Sequence, residues 1–179
     1  AYYNSAQYDE ALQAFSKARE LEPDLYDVYL GIGKTYMTVN KSKEALDALN
    51  RAVHLQPKNP RGVLTIGFVY ATLDMPAEAK EYFTKALAIN PHLADAYYGL
   101  GWMSIKEKQY GNAKVMLEKA LALRSNYPAA RFELGRIYLL AKDFNKAEQE
   151  YEILKKTDRN WAEKLAKEIE RFKAHYGVL

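Results

Sequence analysis

The sequence predicts an all-α array of antiparallel helix pairs, and three observations carry that prediction. Gly33, Gly67, Gly101 and Gly135 lie 34 residues apart. Twelve residues after each comes an alanine: Ala45, Ala79, Ala113 and Ala147. The apolar positions around both markers recur at helical spacing. Ile32, Ile66, Leu100 and Leu134 precede the glycines, and Tyr36, Tyr70, Ser104 and Tyr138 follow three residues on. Offsets of −4, −1, 0 and +3 fall on one helical face, as do 0, +4 and +7 from each alanine. A glycine inside a helix costs roughly 1 kcal/mol against alanine, so four in register need a packing reason. The expected reason is close approach of a neighbouring helix, with the small glycine facing the small alanine across each pair.

Taken in order, residues 1–25 form an incomplete first unit. Ala11, Phe15, Ala18 and Pro23 stand 34 residues before Ala45, Leu49, Ala52 and Pro57. Tyr2 would be the counterpart of Tyr36, and the matching glycine would fall before residue 1, as in a piece of a longer protein. Four complete units follow at 26–59, 60–93, 94–127 and 128–161. Each splits at a short polar turn: Val39-Asn40-Lys41, Asp74-Met75-Pro76, Glu107-Lys108-Gln109 and Ala141-Lys142-Asp143. Asp74 with Pro76 reads as a start signal for a second helix. Pro60 and Pro128 suit the first turn of a first helix, where a missing N–H costs nothing. Proline closes two units, at Pro57 and Pro91, and is replaced by Ser125 and Arg159 in the others. At the end, Trp161, Leu165, Ile169, Phe172 and Tyr176 make one apolar stripe among charged residues. Residues 162–179 are therefore expected to form a single amphipathic helix capping the last unit, because a repeat buries its face only against a neighbour.

This pattern resembles the tetratricopeptide repeat (TPR) family, whose signature is W-x₂-L-G-x₂-Y…A-x₃-F…P at a period of 34. Tyr29-x₂-Ile32-Gly33-x₂-Tyr36…Ala45-x₃-Leu49…Pro57 fits it, as does Val63-x₂-Ile66-Gly67-x₂-Tyr70…Ala79-x₃-Phe83…Pro91. The third copy departs at Ser104 and the fourth at Arg131. The resemblance implies a right-handed superhelical solenoid whose first helices line a concave, peptide-binding groove. On that basis a second stripe on the first helices becomes the candidate site. It reads Leu30, Lys34 and Met37, then Arg61, Leu64 and Phe68, then Tyr98, Trp102 and Ile105, and last Phe132, Arg136 and Leu139. The stripe either receives a partner or packs between repeats. Lys34 and Arg61 are the only cations where chaperone-tail-binding TPR modules carry lysine, asparagine and arginine, so a dicarboxylate clamp is not expected. The expected partner is an amphipathic helix or an extended peptide with bulky side chains. Self-association, or service as an adaptor segment of a larger enzyme, are the alternatives.

The remaining signals point away from chemistry. The 26 basic and 23 acidic residues nearly balance, without a long run of one sign, so no nucleic-acid partner is expected. No cysteine is present, and no stretch of about 18 apolar residues could span a membrane. Compartment stays open between cytoplasm and periplasm, with the cytoplasm favoured. Gly33-Lys34-Thr35 mimics part of a phosphate-binding loop, but Val28 stands where that motif needs glycine. His54, His92 and His175 are scattered, with no partner at metal-ligand spacing. Asn40-Lys41-Ser42 matches a glycosylation sequon of the kind chance supplies. The expectation is a non-catalytic protein without metal or cofactor.

Overall fold

Ten helices and no strand make up the described residues, 5–177, of the computed structural model. They fall into two units, divided between Pro91 and His92, each with its own packing. Tyr2 lies outside the described residues.

In the first unit, α1 (Ser5–Leu21) packs on α2 (Tyr26–Thr38), α2 folds back on α3 (Ser42–Leu55), and α4 (Pro60–Thr72) folds back on α5 (Pro76–Ile89). α3 also packs on α4, so each pair covers the apolar face of the next. Tyr26, Leu30, Leu49, Ile66 and Val69 form the buried cluster there, around Ala45 and Ala52. The Tyr26 hydroxyl accepts the Gly62 N–H across that cluster at 2.9 Å, linking successive first helices. In the second unit, α6 (Ala94–Lys106) pairs with α7 (Tyr110–Leu123) and α8 (Pro128–Leu140) with α9 (Phe144–Thr157). α10 (Arg159–Tyr176) lies against both α8 and α9. It buries Ala162, Leu165 and Ile169, as its amphipathic pattern demands. It begins at Arg159 rather than 162, because the Asp158 carboxylate caps its first turn by accepting the Trp161 N–H at 3.2 Å.

The glycines do sit at close contacts, but the small-against-small expectation needs correction. A Cβ on Gly33 would stand 2.5 Å from Leu49 Cγ, with the Ala45 carbonyl behind it at 3.2 Å. A Cβ on Gly67 would stand 2.8 Å from the Phe83 ring, and one on Gly101 would stand 3.0 Å from Leu117 Cγ. Each of these glycines thus receives the large side chain four residues past the repeat's alanine. The alanine keeps the backbone close enough for that insertion. Gly135 differs: a Cβ there would stand 2.7 Å from Leu165 of α10, and not against a side chain of α9.

The turns repeat as strictly as the glycines. Asn40, Asp74, Lys108 and Lys142 all adopt left-handed backbone with φ of 59–60°. In each, the next residue's N–H reaches back to the third-last helical carbonyl, as from Lys41 to Tyr36 at 2.9 Å. Asn40 N–H bonds Met37 O at 3.2 Å in the same turn. This is the Schellman closure, which satisfies the carbonyls left over at a helix end. Asp74 therefore terminates α4 and does not cap α5, whose N-cap is Met75.

Candidate functional site

Residues at equivalent positions on the first helices of consecutive pairs form stripes, and each unit carries its own. In the first unit the stripe is divided between core and surface. Leu30 is only 2 % exposed and belongs to the buried cluster, so it supports the surface and cannot line it. Met37 packs on the same cluster while half-buried. Lys34 is exposed. Its neighbour Thr35 donates to the Gly31 carbonyl at 2.9 Å inside α2, so the Gly33-Lys34-Thr35 tripeptide is helical and offers no phosphate cradle. Arg61 Nη1 is 3.3 Å from Asp27 Oδ1, the residue one repeat earlier. With both side chains largely exposed, that pair contributes little to stability. Leu64 is half-buried, and Phe68 sets its ring edge-on to Phe83 with centroids 4.9 Å apart.

The second unit's stripe is more aromatic and more cross-linked. Tyr98 stacks obliquely on Tyr127 at 5.1 Å, and Phe132 on Trp161 at 5.2 Å. Trp102 is half-buried, with Lys106 Nζ 5.9 Å from its ring. Ile105 packs against the Leu117–Leu134 cluster. Leu139 is fully buried under α10, a second stripe residue that belongs to the core. Arg136 bonds Glu133 at 2.9 Å and lies 5.8 Å over the Phe132 ring. Burial pushes the Glu133 carboxyl up, and Glu168 adds to this, while Arg136 opposes it. Tyr98 is pushed up to about 12 by burial and by the Glu133 charge.

Sequence reasoning missed a polar clamp beside this stripe. Arg124 Nη1 and Nη2 donate to the two Asp95 oxygens at 2.9 and 2.7 Å. The Tyr127 hydroxyl donates to Asp95 Oδ1 at 2.8 Å. Burial, and then this bond to Asp95, raise the Tyr127 hydroxyl well above its ordinary value. The bidentate geometry fixes the turn before α8 to the start of α6. The two departures from the repeat pattern at Arg131 and Ser125 are also linked. The Arg131 guanidinium donates to the Ser125 carbonyl at 3.2 and 3.0 Å and to Glu150 at 2.9 Å. Among the described residues no group of three or more His, Cys, Asp or Glu could hold a metal ion. No helix among them is long and apolar enough to cross a membrane.

Two sequence profiles of the tetratricopeptide repeat match the chain, over residues 61–93 and 104–167. The chain belongs to the tetratricopeptide repeat family. A third profile, Regulator of microtubule dynamics protein 1-3, matches residues 2–62 of the TPR protein. No curated protein sequence matches it. Among solved structures it is similar to a thermophilic TPR protein of Thermus thermophilus, at 21 % identity and a TM-score of 0.80 over 92 % of both chains. PilF of Pseudomonas aeruginosa gives 22 % and 0.77, over 99 % of this chain and 84 % of its own. YrrB, a TPR protein with an unusual peptide-binding site, gives 26 % and 0.68, over 93 % of this chain and 86 % of its own. TPR folds generally mediate protein–protein interaction, and TPR proteins are in general non-catalytic scaffolds.

Proposed function

We propose that this TPR protein is a non-catalytic scaffold that holds a segment of a partner protein against the first-helix stripes. The observation that carries this reading is the trio Tyr98, Trp102 and Phe132 in the second unit. All three are half-buried on the first helices of consecutive pairs, with the Arg136 cation beside Phe132. Aromatic side chains of that kind contribute large contact area with little flexibility to lose, and they are over-represented among residues that dominate binding energy. Lys34, Met37, Arg61, Leu64 and Phe68 offer a similar but less aromatic surface in the first unit. Lys34 and Arg136 would meet acidic groups of the partner. Leu30 and Leu139 are core residues and leave the proposed contact set, whereas Ile105 stays at its margin.

A peptide library selected on the folded chain tests this. Selected sequences should be rich in bulky apolar residues. Their affinity for the Trp102→Ala variant should drop by about 1–4 kcal/mol while helix content is kept. Equal binding to Trp102→Ala would reject the assignment.

A further inference from the structure

Two exposed features that the partner-binding stripe does not use are complementary in apolar character and charge. The first lies in the first unit, where α1 ends. Leu21 is 83 % exposed, far more than any other large apolar side chain described as exposed. It is flanked by Glu20 and Glu22, both exposed, and followed by Leu25. Neither glutamate forms an ion pair among the described residues, whereas the nearby Asp24 and Asp27 are taken by Arg51 and Arg61. The turn is an apolar knob between two free carboxylates.

The second is a cleft of about 390 Å³ in the second unit, lined by Leu140, Phe172, Tyr176, Glu168, Arg171 and His175. Its floor is apolar, with Leu140 46 % and Tyr176 43 % exposed. Its rim is cationic. Lys142 Nζ sits 4.3 Å over the Tyr176 ring, and Arg171 makes no ion pair among the described residues. His175 stacks edge-on to Tyr176 at 4.7 Å. Glu168 is the single carboxylate of the lining.

We propose that this cleft binds the Glu20–Leu25 turn of a second copy of the chain. Leu21 enters the apolar floor, and Glu20 and Glu22 meet Lys142 and Arg171. The contact is heterologous, because one copy contributes the knob and the other the cleft. A self-matched contact of two clefts would bring Arg171 and Lys142 against their own copies, and two knobs would bring carboxylate against carboxylate. Charge therefore selects the knob-to-cleft arrangement over either symmetric one. A contact this small belongs to the weak class, so it appears at high protein concentration and fades with salt.

Sedimentation equilibrium tests it. The weight-average mass should rise above the 20.5 kDa of one chain as concentration approaches roughly 1 mM at low salt, and should fall back in about 0.5 M salt. The knob-reversed variant (Glu20→Lys with Glu22→Lys) and the cleft-reversed variant (Lys142→Glu with Arg171→Glu) should each remain monomeric. Mixed one to one, they should associate again, since each then offers what the other lacks. Should a reversed variant lose helix content, Leu21→Ser and Leu140→Ser report on the same contact, and each should abolish the rise in mass. A strict monomer throughout, an association unmoved by both reversals, or a mixture that stays monomeric overturns the proposal.

Discussion

Gly33 and Gly135 hold the same place in the repeat but have different neighbours. Gly33, in the first unit, receives Leu49 from its own second helix. Gly135, in the second, receives Leu165 from α10. Leu139 follows suit: its counterparts one and three repeats earlier, Ile105 and Met37, are only partly buried, yet α10 covers Leu139 completely. The difference teaches that an inner repeat closes on itself, whereas the last repeat is completed by a helix from outside it. The capping helix therefore supplies core, and does more than shield the end from water.

The largest expected effect breaks that comparison directly. Leu165→Ala removes a fully buried side chain from the last repeat and should cost about 2–5 kcal/mol in chemical denaturation. In that background Gly135→Ala should cost less than it does in the wild type, because the methyl group that a Cβ would strike is gone. Additive losses would mean that Leu165 does not occupy the space beside Gly135. A smaller effect sharpens the comparison between turns. Asn40 and Lys108 share a φ near 60°, but only asparagine tolerates that region well. Lys108→Gly should raise stability by about 0.5–1 kcal/mol, and Asn40→Gly should leave it nearly unchanged. An equal response in the two turns would show that the left-handed backbone does not set the cost.

The fold was legible in the sequence because its two periods, the helical turn and the 34-residue repeat, are both written in residue type. The glycine–alanine register located the helix pairs, and Pro60 and Pro128 marked first helices that do begin there. The partners of those markers were less legible. Periodicity assigns a residue to a face but does not say which helix covers the face. Gly135 and Leu139 therefore carry the same expectation as their equivalents elsewhere in the array. Asp74 was misread for a related reason: its side chain suits an N-cap, yet its backbone already serves the preceding helix end. At the candidate site, Tyr98, Trp102 and Phe132 were visible as a stripe. The Asp95–Arg124–Tyr127 clamp was not, because its members lie 29 and 32 residues apart and follow no repeat signature.

The central claim is that Trp102 belongs to a surface that receives a partner segment. The chain has two tryptophans, Trp102 and Trp161, so Trp161→Phe leaves Trp102 as the sole indole reporter while keeping an aromatic ring against Phe132. Titrating this variant with a library-selected peptide should shift and alter Trp102 emission along the same saturation curve as binding measured by calorimetry. Full calorimetric binding with Trp102 emission unchanged would place the partner elsewhere and contradict the account.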